Sequence, residues 1–201
     1  GDHRDLHSFP PRRSSDLAST VGGALSATAT SGNITQSGAL TITGVTTIAA
    51  DSGNNITLSN TSNNFQAAVS ITSGNNVTLV DAGAIDLGAS TVSGTYAVTA
   101  TAGGDITDSG VLAITGTSTF TVADGYSVLL TESSTFAAVE FAASGGGPLA
   151  SVTINDSNGV DLGGLTTAGD LTVTAGGDIT DSGTLTVGGD LAATTNANNG
   201  V

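Results

Sequence analysis

The side chains best placed to do chemistry are two pairs of aspartates, Asp105 with Asp108 and Asp178 with Asp181, each set in the string GGDITDSG. Two carboxylates close together in a glycine-rich stretch are raw material for a calcium site, because a hard dication gathers carboxylate and carbonyl oxygens. Calcium-binding β-rolls, however, repeat the unit GGxGxDxUx in tandem, and this chain has no such run. The competing role is mechanical: an aspartate at a corner caps its own turn by accepting a backbone N–H. A weaker third copy, TSGNITQSG from Thr30, has Asn33 and Gln36 where the acids stand. That exchange suits a turn better than a metal. No catalytic, cofactor-binding or metal-ligating residue is therefore assigned.

Other candidates weigh less. Glu132 and Glu140, the only glutamates, bracket most of the segment TFAAVEF. A glycosidase pair needs two carboxylates facing each other across a sugar-binding cleft, and polysaccharide-cleaving β-helices generally add basic residues. An exposed strand edge is the expected setting for both. Threonine doublets occur at Thr41/Thr43, Thr99/Thr101, Thr119/Thr121, Thr172/Thr174 and Thr184/Thr186. On an ice-binding solenoid they would stack once per coil; their irregular spacing reads as β-branched strand filling. The Asn-x-Ser/Thr sequons at Asn33, Asn55, Asn60 and Asn76 follow from the composition alone.

The missing residue types narrow function further. The formal net charge is -14, from 17 acidic residues against three arginines, and there is no Cys. From Leu17 to Val201 no basic side chain occurs, histidine included. Nucleic-acid binding needs Lys or Arg to displace counterions, and anionic membranes attract the same residues. Phosphoryl transfer needs cationic clamps. Zinc sites and Ser–His or Cys–His pairs need His or Cys. No apolar run approaches the ~18 residues of a spanning helix, so this segment is not expected to insert into a membrane.

The opening segment, GDHRDLHSFPPRRSSDL, differs in kind: it holds every arginine and histidine and carries no net formal charge. The stretch DLHSFPPRRSSDL resembles a translated sequencing adapter, departing from its usual form at Pro11. Residues 1–17 are accordingly expected to be a disordered, non-native leader, with the repeat region running from 18 to 201.

That region is repetitive. TAGGDITDSG occurs at Thr101–Gly110 and again at Thr174–Gly183, 73 positions on, which gives a module of about 72 residues. Inside it SGNNITL (Ser52–Leu58) recurs as SGNNVTL (Ser73–Leu79). Equivalent apolar residues fall at Ile34, Ile56, Val77, Ile106, Val128, Val152 and Ile179, in steps of 22, 21, 29, 22, 24 and 27. Three such steps make one module, and the long third step predicts an insertion at one corner. Each step carries short alternating runs of Val, Ile and Thr, a strand signal, between Gly/Asn/Asp corners. About three short strands fit each coil of 21–29 residues. The fold class is all-β, a parallel β-helix (β-solenoid) of some eight coils. Its core is expected to rest on columns of Val, Ile, Leu and Ala rather than on aromatics, with amide ladders such as Asn54 over Asn75 at the corners.

The successive patterns GxxDITxSGxLTVxG, NxITLxNxxNxFxxAVSI and NVTLxDAxAIxLGASTVSG resemble the repeats of large bacterial surface exoproteins, the filamentous-haemagglutinin-like and autotransporter-type adhesins. The resemblance covers about Ala24 to Leu191. It implies a right-handed helix and a non-catalytic stalk of a longer protein, secreted by a type V or two-partner route through an outer-membrane translocator to the cell surface. Host-cell or matrix glycans or proteins would be bound by other parts of that protein. Two other classes stay open: a carbohydrate-active β-helix enzyme and a calcium-stabilised β-roll.

Overall fold

The computed structural model describes residues 15–195, and every regular element among them is a β-strand. All strand pairing among the described residues is parallel, and two long ladders run the length of a β-solenoid. The first stacks Ser15–Val21, Ile34–Ile42, Ile56–Leu58, Val77–Asp81, Tyr96–Ala100, the second half of Leu112–Val122, the second half of Val128–Ala143, Val160–Leu162 and Ile179–Asp181. The second stacks Leu25–Ala29, Thr46–Ala50, Val69–Ser73, Ile85–Leu87, Ile106–Asp108, the start of Val128–Ala143, Val152–Asp156, Leu171–Ala175 and Leu191–Thr195. Nine strands in each ladder make about nine coils. Short strands outside these ladders pair locally: Asn64–Phe65 with the end of Ile34–Ile42, Ser90–Val92 with the start of Leu112–Val122, and Leu165–Thr167 with Leu185–Val187.

Alternation produces this shape directly. In Leu25–Ala29, Thr46–Ala50, Tyr96–Ala100 and Leu171–Ala175 every second side chain is buried, as a strand with one face on a core requires. The coil is small enough for backbones to touch at its corners. A Cβ on Gly110 would run into the backbone of Ala89, and one on Gly183, at the same place in GGDITDSG, into that of Gly164. Only glycine permits that approach.

The register corrects the coil length. Val77 pairs with Tyr96 rather than with Ile106, and Ile106 pairs back to Ile85. Val152 likewise pairs with Leu171, not Ile179. The two long steps are therefore not corner insertions. They cross from one ladder to the other: Ile34 and Ile179 lie in the first ladder and Ile106 in the second. From Ile106 the second ladder climbs through Val128 and Val152 to Leu171, three coils on, and Ile179 stands half a coil further. The module therefore spans about three and a half coils, and its copies begin on alternate sides.

Two further expectations change. The first coil starts by Ser15, and Leu17 is buried in it, so the solenoid includes residues assigned to the leader; the remainder of the leader lies outside the described residues. Aromatics also carry more of the core than expected. Phe120 is stacked on Phe141 with ring centroids 6.0 Å apart, and meets Tyr96 and Phe136 edge-on at 6.2 and 6.1 Å. Residues far apart in sequence gather because they take inward positions in successive coils.

Candidate functional site

The polar side chains that sequence singles out are arranged as ties between coils. The Asp105 carboxylate accepts the backbone N–H of Ser127 at 2.8 Å, and Asp108 that of Thr131 at 2.7 Å. Both donors belong to the next coil, so these aspartates do not cap their own turns as expected. Coil stacking presents a neighbour's N–H closer to hand. The weaker copy keeps the arrangement with neutral groups: Asn33 accepts from Asn55 at 2.9 Å and Gln36 from Asn60 at 3.1 Å. Asp178 and Asp181 are exposed, and a coil beyond them would fall outside the described residues.

The corner ladder is also displaced by one residue. Asn54 and Asn75 meet through their backbones at 2.7 Å. The side-chain column is Asn33, Asn55 and Asn76, whose amide oxygens accept in turn from Asn55, Asn76 and Thr95. Three of the four sequon asparagines thus hold coils together. In the second half of the chain the column moves to the other corner, where Ser151 accepts from Asp170 and Asp170 from Asp190. The ties travel with the sequence motif, as the half-coil offset of the module requires.

Sequence reasoning missed a second set, buried inside. Asp81 and Asp156 are each 1% exposed. Asp81 accepts from Gly83 and, across to the preceding coil, from Phe65, both at 2.7 Å. Asp156 repeats this with Asn158 at 2.8 Å and Phe136 at 3.1 Å. Buried Asn63, Ser90 and Ser134 serve the N–H groups of Leu40, Ile71 and Leu112 in the same way. An unpaired buried N–H costs about 1–3 kcal/mol, so these side chains stand in for carbonyls that corners withdraw. The signal was parity. Asp81 follows Val77 and Leu79, and Asp156 follows Val152 and Ile154, at inward positions where other strands have alanine.

Burial pushes the carboxyls of Asp81, Asp108 and Asp156 above the usual range, and the N–H bonds oppose this only in part. Among the described residues no three acids or histidines converge into a metal-sized group. Glu140 lies on an outward position of an interior strand, in register with Thr119, not on a sheet edge. Glu132 is exposed at a corner on another side of the coil. The threonine doublets do not stack: Thr121 pairs with Thr99, but Thr119 pairs with Ala97.

The acids' use between coils yields a direct expectation. Asp105→Asn keeps the acceptor and leaves stability within about 0.5 kcal/mol, whereas Asp105→Ala lowers it by about 1 kcal/mol. Denaturant melts with millimolar calcium and with EDTA should coincide; a calcium-dependent midpoint that Asp105→Asn abolishes would establish a metal site instead.

Parallel stacking and its side-chain ties define a repeat-built β-solenoid, in which each coil contacts only its neighbours. The chain belongs to the family described as repeats of unknown function (DUF5649), which matches it three times in succession, over residues 13–72, 74–141 and 149–201. No curated protein and no solved structure matches it.

Proposed function

We propose that this chain is a non-catalytic stalk segment of a large secreted or surface-anchored bacterial adhesin. The observation that carries the reading is the use of its acids: Asp81, Asp105, Asp108, Asp124, Asp156 and Asp170 each accept backbone N–H groups, most of them from an adjacent coil. Side chains so engaged build length. Nine coils at the ~4.8 Å strand spacing give a rod about 4 nm long, and additional repeats would extend it without altering its cross-section. A lysine-free, acidic, cysteine-free body suits export and extracellular solubility. In this reading an outer-membrane translocator passes the chain to the cell surface, and recognition of host glycans or proteins is left to other parts of the protein.

The test separates spacer from binder. Beads coated with the isolated chain should adhere to epithelial cells and matrix proteins no better than albumin-coated beads. The same chain inserted between the binding tip and the anchor of a displayed adhesin should preserve adhesion and raise the tip by about 4 nm. Saturable adhesion by the isolated chain would overturn the stalk reading.

A further inference from the structure

Asn158 and Gly159 form the only asparagine–glycine pair among the described residues, at the corner between Val152–Asp156 and Val160–Leu162. Both residues are exposed. Asparagine is a chemically labile residue, and a following glycine leaves its carboxamide open to attack by the next backbone nitrogen. The backbone of Asn158 is engaged, its N–H with Asp156 at 2.8 Å and its carbonyl with the Gly177 N–H at 3.0 Å. The two reacting groups are not: the Asn158 carboxamide and the Gly159 N–H have no hydrogen-bond partner among the described residues. Coil packing explains the glycine. A Cβ at 159 would come 2.8 Å from the carbonyl oxygen of Asp178 in the next coil, so the fold itself requires the residue that makes the pair reactive. Comparable positions are closed. At Asp124–Gly125 the carboxylate accepts from Gly145 and Gly147, and the Gly125 N–H is donated to Pro148. Asn33, Asn55 and Asn76 have tied amide oxygens and precede Ile34, Ile56 and Val77, whose branched side chains crowd the nitrogen.

We propose that Asn158 is a site of spontaneous, succinimide-mediated modification that opens the tie between this corner and the corresponding corner of the next coil. The Gly159 nitrogen gives its proton to solvent base and bonds to Cγ of Asn158. The Cγ–Nδ2 bond breaks, and the side-chain nitrogen leaves as ammonia. Water then opens the succinimide ring, and the reaction uses no oxidant, reductant or cofactor. Opening at Cγ restores the original backbone with an aspartate. Opening at the other carbonyl gives isoaspartate, in which the main chain runs through Cβ and Cγ and the former main-chain carbonyl becomes a free carboxylate. That carbonyl is the one that holds the Gly177 N–H. The inserted carbon also lengthens a tightly packed corner, where a Cβ on Gly177 would come 2.9 Å from the Gly159 nitrogen. Either product adds a negative charge to a chain already at -14.

Incubation of the folded chain in mildly alkaline buffer, beside a sample in denaturant, tests this. Cleavage before aspartates releases Asp156–Val160 as one peptide. Mass spectrometry follows its change from amide to acid, and labelling by an isoaspartyl methyltransferase identifies the isoaspartate. Asn158 should convert in the folded chain within about tenfold of its rate in denaturant, a factor worth about 1.4 kcal/mol of barrier. Asp124–Gly125 should isomerise more than about tenfold slower folded than in denaturant. The converted chain should unfold at a lower denaturant midpoint than the fresh one. Asn158→Gln changes only an exposed side chain and should keep both its mass at this peptide and its midpoint. The pair Asn199–Gly200, outside the described residues, is common to parent and variant. Protection of Asn158 by more than about tenfold in the folded chain overturns the proposal. So does a converted chain with an unchanged midpoint, or a fall in midpoint that Asn158→Gln shares.

Discussion

Phe120→Ala is expected to lower the free energy of unfolding by about 3–5 kcal/mol. Phe120 is fully buried, in register with Val98 of the preceding coil and Phe141 of the following one. Tyr96 and Phe136 close on its ring edge-on. Four of the chain's seven Phe and Tyr residues meet here. Truncation leaves a cavity that the surroundings cannot fill, because backbone ladders on both sides hold the coils at their ~4.8 Å spacing. The site is also central. Stability in a solenoid is a sum of nearest-neighbour terms, so a weak interface in the middle uncouples the two halves. At about 2–4 °C per kcal/mol for a chain of this size, the melting midpoint should drop by about 6–20 °C, and denaturant unfolding should broaden or split. Val45→Ala, at an exposed corner, should stay within about 0.5 kcal/mol. A loss below about 1 kcal/mol for Phe120→Ala would mean that the aromatic group is not the keystone its geometry makes it.

This cluster also shows what a single sequence conceals. Tyr96, Phe120, Phe136 and Phe141 have no regular spacing, so composition made the core look aliphatic; only the register brings them together. The class of fold was legible because strand alternation is local: Val77, Leu79 and Asp81 point inward by period two whatever surrounds them. Coil length was not. The motif Asp/Asn–Ile–Thr marks the start of a strand, and a strand can start on either ladder. Using that motif as a ruler gave correct steps within a ladder, Ile34 to Ile56 to Val77, and false ones at Val77 to Ile106.

The candidate site was legible in the same partial way. The exchange of Asp105 and Asp108 for Asn33 and Gln36 pointed to a structural acceptor, and the four side chains do make equivalent bonds. What those bonds reach was hidden, because the donor lies about a coil away in sequence. Asp81 and Asp156 were passed over for a different reason. Neither stands in a glycine-rich motif such as GGDITDSG; both end apolar strands, at positions where alternation demands a buried residue.

Those buried acids give the chain an unusual response to pH: it should become more stable on mild acidification. Burial raises the carboxyl pKa of Asp81, Asp108 and Asp156 in the folded chain, and for Asp108 the nearby Glu132 adds to the rise. A group with a raised folded pKa holds its proton in the folded state while the unfolded chain has already released it. Between the unfolded and folded values the folded state binds more protons, so stability falls as pH rises. The contribution is complete below the ordinary aspartate value near 3.9 and is lost once pH exceeds the folded value. Most proteins respond oppositely in this range, because their carboxylates are held down by cationic partners that acid breaks. From Leu17 onward this chain has no such partner to lose, and its net charge of -14 adds self-repulsion that protonation relieves. Denaturant midpoints at micromolar protein should therefore climb as pH is lowered from 7.5 toward 4.5, above the sequence pI of 4.1 where association would intrude. A tenfold difference in proton affinity at one group is worth about 1.4 kcal/mol, or about 3–6 °C in melting midpoint. The combined Asp81→Asn, Asp108→Asn and Asp156→Asn variant should flatten the climb, because an amide oxygen still accepts an N–H but no longer titrates. A midpoint that falls steadily from pH 7 to 4.5 would show instead that the N–H groups of Phe65, Thr131 and Phe136 outweigh the cost of burying the charge they hold.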